Sequence, residues 1–281
     1  SGYTTVALFG LDTRESGQLG KGNRSDTIII ASINNDTGEV RLASVFRDTY
    51  LDMTTGKFNK ANSAYSTGGP EQAIKMLNKN LDLTIEKYIS VDFAAMTDAV
   101  DLLGGIDIDV DETEIDHLNN YMVETSKVTG VASKPLTHTG LQTLDGVQAT
   151  SYCRIRYTAG DDFKRTERQR EVIQELVRKA KTMEISKIND IINAVFPKIA
   201  TNYSNKELLA PQMIGYDIAD TAGFPFDRET GTISGRGSCV IPVNLAENVR
   251  QLHEFLYENY DYTPSSEVQK ISEQITADTG Y

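Results

Sequence analysis

TIIIASINNDTGEVRLASV, residues 27–45, decides the fold. Its opening TIIIASI (27–33) is rich in β-branched residues, NNDTGE is a cluster of turn formers, and VRLASV (40–45) carries the chain back as another strand. Upstream, residues 3–9 read as a buried strand that runs into GLD. Three consecutive strands with so short a second connection form an antiparallel meander, in which the end of the first, the start of the second and the end of the third share one edge. Asp12, Asp26 and Arg47 occupy those places and are expected to converge.

Outward from the meander, strand and helix patterns alternate. GGPEQAIKMLNKNL opens a helix with Pro70 suited to its first turn, YISVDF is a short strand, and DFAAMTDAVDLLGG is an amphipathic helix closed by glycines. IDIDV is a strand whose aspartates face solvent or an edge, and TEIDHLNNYMVETS is helical. LDGVQATSY is a short helix leading into CRIRY (153–157), a strand whose period of two puts Arg154 and Arg156 on one face. The helix after it displays Arg165, Arg168 and Gln169 from its first turns at i, i+3 and i+4. The pattern predicts an α/β fold, a single domain over residues 1–262 with a mixed central sheet flanked by helices on both faces. Residues 263–281 read as a polar tail with little to pack.

The chain has 281 residues, enough for a sizeable core, with 39% hydrophobic and 24% charged residues, the balance of an ordinary globular protein. Its 28 Lys and Arg against 40 Asp and Glu give a formal net charge of −12, which argues against a general nucleic-acid binder. No run of about 18 apolar residues is present, so no segment reads as a membrane span. Two cysteines, Cys153 and Cys239, are too few for a zinc site; a disulfide and two separate buried thiols stay equally open. His117, His138 and His253 have no ligand spacing. There is no GxxxxGK[ST] motif, and Gly17, Gly20 and Gly22 do not follow the order of a dinucleotide fingerprint. Ser25, Ser44 and Cys153 have no histidine nearby in sequence to activate them, so covalent nucleophilic catalysis is not expected.

The cations are unevenly spread. Between Arg154 and Arg170, six of 17 residues are basic (Arg154, Arg156, Lys164, Arg165, Arg168 and Arg170), more than three times an even share. Five are arginine, the residue that grips phosphate or carboxylate with two parallel hydrogen bonds. Two carboxylates beside an arginine at the meander's edge suit a hard divalent cation such as Mg²⁺, which takes one or two carboxylates and completes its shell with water and phosphate. Metal plus arginine clamp is the equipment of phosphoryl transfer, where catalysis is positioning and charge neutralisation.

GLDTR, NRSDTIIIASIN, RLASVFRDTYLDM, KFNKANSAYSTGGP, VDFAAMTDAVDLLGGIDIDV, LDGVQATSYCRIRY and DDFKRTERQR, in this order, resemble the LytR-CpsA-Psr family. The resemblance runs from about Val6 to about Gln174 and implies an α-β-α fold. It also implies a transferase that moves a glycopolymer from a polyprenyl-pyrophosphate carrier to peptidoglycan through a phosphodiester bond. Members are exported and held at the outer face of the bacterial cytoplasmic membrane, so the resemblance implies a membrane partner through an N-terminal anchor outside these residues. By the same resemblance, Asp12 and Asp26 manage magnesium and the acceptor hydroxyl, and Asp162 is a further metal carboxylate. Arg47 polarises the pyrophosphate with Asp48 in support, while Arg14, Arg154, Arg156, Arg165 and Gln169 contact phosphate. Lys164 stands where a glycine is more usual and Phe46 where proline is common; Lys164 is a further substrate contact by position. The family also implies an apolar tunnel for the lipid, though the periodicity of the apolar helices describes a packed core equally well. Two neighbouring functions share these residues: a polyprenyl-pyrophosphate hydrolase, and a non-catalytic carrier of polyprenyl phosphate.

Overall fold

A computed structural model of the chain describes residues 2–13, 15–157, 161–208 and 210–281. In chain order the first elements are β1 (Tyr3–Leu11), β2 (Ser25–Asn34), β3 (Glu39–Val45), β4 (Tyr50–Asp52), β5 (Phe58–Lys60), α1 (Ser63–Leu81) and β6 (Lys87–Val91). Next come α2 (Phe93–Leu102), β7 (Ile106–Val110), α3 (Ile115–Thr129), β8 (Gly140–Leu144), α4 (Gly146–Arg154), α5 (Asp161–Lys181) and α6 (Ile185–Val195). The chain closes with β9 (Ala200–Thr201), α7 (Ala210–Ile214), β10 (Asp217–Phe224), β11 (Arg228–Ile233), β12 (Gly237–Pro242), α8 (Leu245–Tyr257) and α9 (Ser266–Thr279). This is the expected mixed α/β architecture, a central sheet flanked by helices. Within it the chain clusters into two compact units. The first holds the chain to Gly10, Gly20–Ser90 and Ile218–Tyr281; the second holds Leu11–Leu19 and Val91–Asp217.

In the first unit the strands run in the order β10-β3-β2-β1-β6. Ile28, Ile29 and Ile30 are consecutive and all buried. Neighbouring residues of a strand face opposite ways, so both faces of the sheet are covered at this point. Strands β2 and β3 are antiparallel, with Ile29 opposite Ser44 and Ile33 opposite Val40. The Asn35 amide donates to the Gly2 carbonyl at one end of β1, and Gly10 packs on Thr27 at the other, so β1 and β2 are antiparallel too. The meander is therefore as expected. Helix α8 buries Leu245, Val249, Leu252 and Leu256, a helical stripe, and packs on β2 and β3. Gly69 takes a φ of +73°, which splits α1 into two helical pieces, and Pro70 opens the second.

Two expectations fail. Residues 263–281 are not a loose tail: Ser265 caps α9, which buries Val268, Ile271 and Ile275 and packs against α1, α8, β4 and β12. Three apolar residues at i, i+3 and i+7 suffice for a buried stripe even in a polar segment. The second failure is CRIRY. It is not a strand; Cys153 and Arg154 complete α4, and Ile155 ends it with extended backbone.

The reason lies upstream, in the second unit. Asp145 and Gln148 form a reciprocal capping box that starts α4, and Val147, Ala149 and Tyr152 carry its buried face onward. These residues join Ile106, Ile108 and Val110 of β7, together with Leu118, Met122, Leu144, Ile155 and Val172, in one core. Val100 of α2 and Val172 of α5 thus serve as core. Asp107 and Asp109 of the antiparallel β7–β8 pair are exposed, as the alternation predicts.

Candidate active site

The first unit supplies a carboxylate–arginine pair. Continuing the β2–β3 register past Ile29 and Ser44 sets Asp26 opposite Arg47, and the side chains meet: Arg47 Nη1 donates to Asp26 Oδ1 at 2.9 Å. Both are largely buried, at 13% and 19% exposure. Antiparallel pairing thus brings together residues 21 apart in sequence. The backbone is fixed on either side, since the Phe46 amide donates to the Phe224 carbonyl and the Arg47 carbonyl accepts from Asn62. Phe46 is itself buried, so close to Gly223 that a side chain there would strike its ring, and Arg228 lies over that ring at 4.8 Å. The departure at Phe46 therefore anchors the backbone one residue before Arg47. Asp48, expected to support Arg47, faces Lys60 at 3.7 Å instead, because successive residues past a strand point in opposite directions.

The second unit carries the cation cluster, and carboxylates answer most of it. Arg154 Nη2 donates to Glu124 at 3.0 Å and its Nη1 to Thr125 at 3.0 Å, while the guanidinium lies 4.4 Å from the Phe93 ring and 5.2 Å from that of Tyr121. Arg165 pairs with Asp162 at 3.2 Å, and Lys164 with Glu167 at 3.1 Å. The Lys164 pair is exposed on both sides and contributes little. Arg168 and Glu114 form a buried pair, Nε to Oε2 at 2.6 Å, each under 5% exposed. Burial holds Arg170 below the usual arginine range. Arg156 is exposed and makes no ion pair with a described residue.

Two side chains of α5 act on backbone. Arg168 Nη1 donates to the Ile155 carbonyl at 3.1 Å, and Gln169 Nε2 to the Cys153 carbonyl at 3.3 Å. They clasp the chain on both sides of Arg154, so Gln169, expected as a phosphate contact, is buried and holds the segment that bears the arginines. Arg168, one of the clustered cations, is thus matched inside the protein; its partner Glu114 has no signature in sequence, being one acid among many. Cys153 and Cys239 are free thiols, and burial pushes the Cys153 thiol up to about 12.

Asp12 is exposed just past the end of β1 and belongs to the second unit; Arg14 lies outside the described residues. Among the described residues, no group of three or more His, Cys, Asp or Glu side chains is placed to hold a metal ion. Taken singly, Asp26 of the first unit and Asp12 and Asp162 of the second carry carboxylate oxygens, the hard ligands that magnesium prefers. Buried hydroxyls of Thr13 and Ser25, one residue from Asp12 and Asp26, have no hydrogen-bond partner among the described residues.

The sequence model of the LytR_cpsA_psr family matches residues 1–221. The chain belongs to that family. Over 203 residues this LytR_cpsA_psr chain is 33% identical to the polyisoprenyl-teichoic acid–peptidoglycan teichoic acid transferase TagU of Enterococcus faecalis, covering 71% of this chain and 61% of TagU. Over 275 residues it is 30% identical to the transferase of the same description, TagV, of Bacillus subtilis, covering 93% of this chain and 66% of TagV. The chain thus spans just under two thirds of these curated relatives. Its fold matches the crystal structure of gbs0355 from Streptococcus agalactiae (TM-score 0.76, 24% identity, 94% and 90% coverage of this chain and that one). It also matches that of Bacillus subtilis TagV, with TM-score 0.71, 24% identity, and 93% and 98% coverage. Among the described residues no helix is long and apolar enough to cross a membrane.

Proposed function

We propose that this chain is a phosphotransferase, moving a glycopolymer from a polyprenyl-pyrophosphate carrier onto a peptidoglycan hydroxyl. The observation that carries the reading is the Arg47–Asp26 pair. A guanidinium held in place by a carboxylate is a preorganised positive charge, suited to stabilise charge that develops on a pyrophosphate. Family membership and the transferase names of the relatives support the same reading.

In the reaction, the acceptor oxygen bonds to the phosphorus that bears the saccharide. The bridging P–O bond breaks, polyprenyl monophosphate leaves, and a phosphodiester remains. Arg47 stabilises the charge on the transferring phosphate and the departing one; Arg156, exposed, takes a phosphate oxygen. The carboxylate of Asp12 receives the hydroxyl proton. Magnesium would supply charge neutralisation at the pyrophosphate; the carboxylates suited to it are Asp26 in the first unit and, separately, Asp12 and Asp162 in the second. The substrate chemistry puts the reaction at the outer face of the bacterial cytoplasmic membrane, with an anchor outside these residues.

The test is mass spectrometry of a short polyprenyl-pyrophosphate saccharide incubated with the protein, Mg²⁺ and a peptidoglycan oligomer. A coupled product that disappears with EDTA and with Arg47→Ala is expected. Polyprenyl monophosphate released without acceptor would instead make the protein a hydrolase, and intact lipid retained on the protein would make it a carrier.

A further inference from the structure

Tyr157 follows Arg156 and is 68% exposed, so its ring contributes little to any core. It is nonetheless part of an ordered array. Its plane is within 4° of that of Tyr121 with centroids 6.4 Å apart, and His117 lies 6.3 Å away. Behind Tyr121 comes the Arg154 guanidinium, and behind that Phe93. The array is fixed at its inner end, where Arg154 is hydrogen-bonded to Thr125 and Glu124. Its outer end is the exposed Tyr157 ring. There the Arg156 guanidinium lies 5.8 Å from the centroid of the Tyr157 ring.

An exposed flat ring accepts the C–H face of a pyranose, an apolar surface on an otherwise polar molecule, while a guanidinium without a carboxylate partner accepts phosphate. A span of 5.8 Å between the two is short enough for one ligand to touch both if its sugar and its phosphate are directly bonded. We infer that Tyr157 is a saccharide-stacking residue: the sugar next to the phosphate lies on its ring, with that phosphate on Arg156. The inference rests on the phosphotransferase reading and deepens it, since it names the glycosyl phosphate, not the lipid, as what this face recognises.

The experiment titrates the intact chain with N-acetylglucosamine 1-phosphate, inorganic phosphate and uridine monophosphate, followed by saturation-transfer NMR. Wild-type protein is expected to prefer the sugar phosphate over inorganic phosphate by roughly two- to tenfold, the worth of one aromatic contact. Tyr157→Ala should erase that preference without changing the affinity for inorganic phosphate, and Tyr157→Phe should keep it. A preference that survives in Tyr157→Ala would overturn the stacking assignment and leave the transferase reading standing. Uridine monophosphate bound more tightly than the sugar phosphate, with the same dependence on Tyr157, would also overturn it, since the ring would then serve a base. Neither phosphate bound by the wild-type protein would remove the Arg156 clamp itself, and the inference with it.

Discussion

Arg47 and Arg168 are both paired with a carboxylate, Arg47 half-buried and Arg168 fully buried, and they are expected to fail differently. Arg47 retains some exposure and sits at the edge of a sheet, where a ligand can reach it. Replacing it with Ala should cut transfer on the order of 10³-fold, the usual loss when an arginine acts on the transition state, with a smaller fall in the urea midpoint than at Arg168, because Asp26 keeps 19% exposure to water. Comparing initial rates and unfolding curves of the same preparations checks this. Arg168 is enclosed. Arg168→Ala strands Glu114 as a buried charge and frees the Ile155 carbonyl, so it should cost about 3–5 kcal/mol of stability by urea unfolding. Asp26 and Arg47 could be found from sequence because register arithmetic pairs them. Glu114 could not, because its partner is 54 residues away across a tertiary contact.

The same division holds among the elements. Helix α4 has a start signal in Asp145 and Gln148, yet its end cannot be read locally, since arginine–isoleucine alternation also suits a strand. Packing against α2, α3 and α5 kept the helix going. At its first turn, Gly146 comes so near the Thr97 carbonyl that a Cβ would sit 2.2 Å from its oxygen. Gly146→Ala should therefore cost about 1–3 kcal/mol through a forced shift of α2 from α4, measurable as a lowered midpoint with an unchanged m-value. Helix α9 is the converse. Its stripe of Val268, Ile271 and Ile275 was visible as spacing but outweighed by a polar composition. Ile275→Ala, at a fully buried site, should destabilise by about 2–5 kcal/mol, whereas a change at exposed Glu273 should be silent.

For the molecule as a whole, one buried base ties stability to pH. His253 in α8 stacks on Tyr262 at 3.7 Å, and its Nε2 donates to the Leu81 carbonyl at 2.8 Å. Burial lowers its pKa, outweighing the opposing pull of the Leu81 bond and Asp82. The unfolded chain then takes up a proton at higher pH than the folded one. Its contribution to stability is present above the unfolded value of about 6.5 and is lost as pH falls below it. Urea midpoints of wild type and His253→Gln between pH 7.5 and 5.5 should diverge at the alkaline end and converge at the acid end. Parallel lines would show that His253 does not carry the dependence.

By itself the sequence determined the meander, the edge where Asp26 meets Arg47, the mixed α/β class and the arginine-rich segment, because periodicity, turn chemistry and register act over short stretches of chain. Which of those arginines are exposed and which are already matched by carboxylates is set by tertiary contacts. Pairing with Glu114, Glu124 and Asp162, the burial of Gln169 and the exposure of Tyr157 depend on what distant segments bring alongside, and no local pattern encodes that.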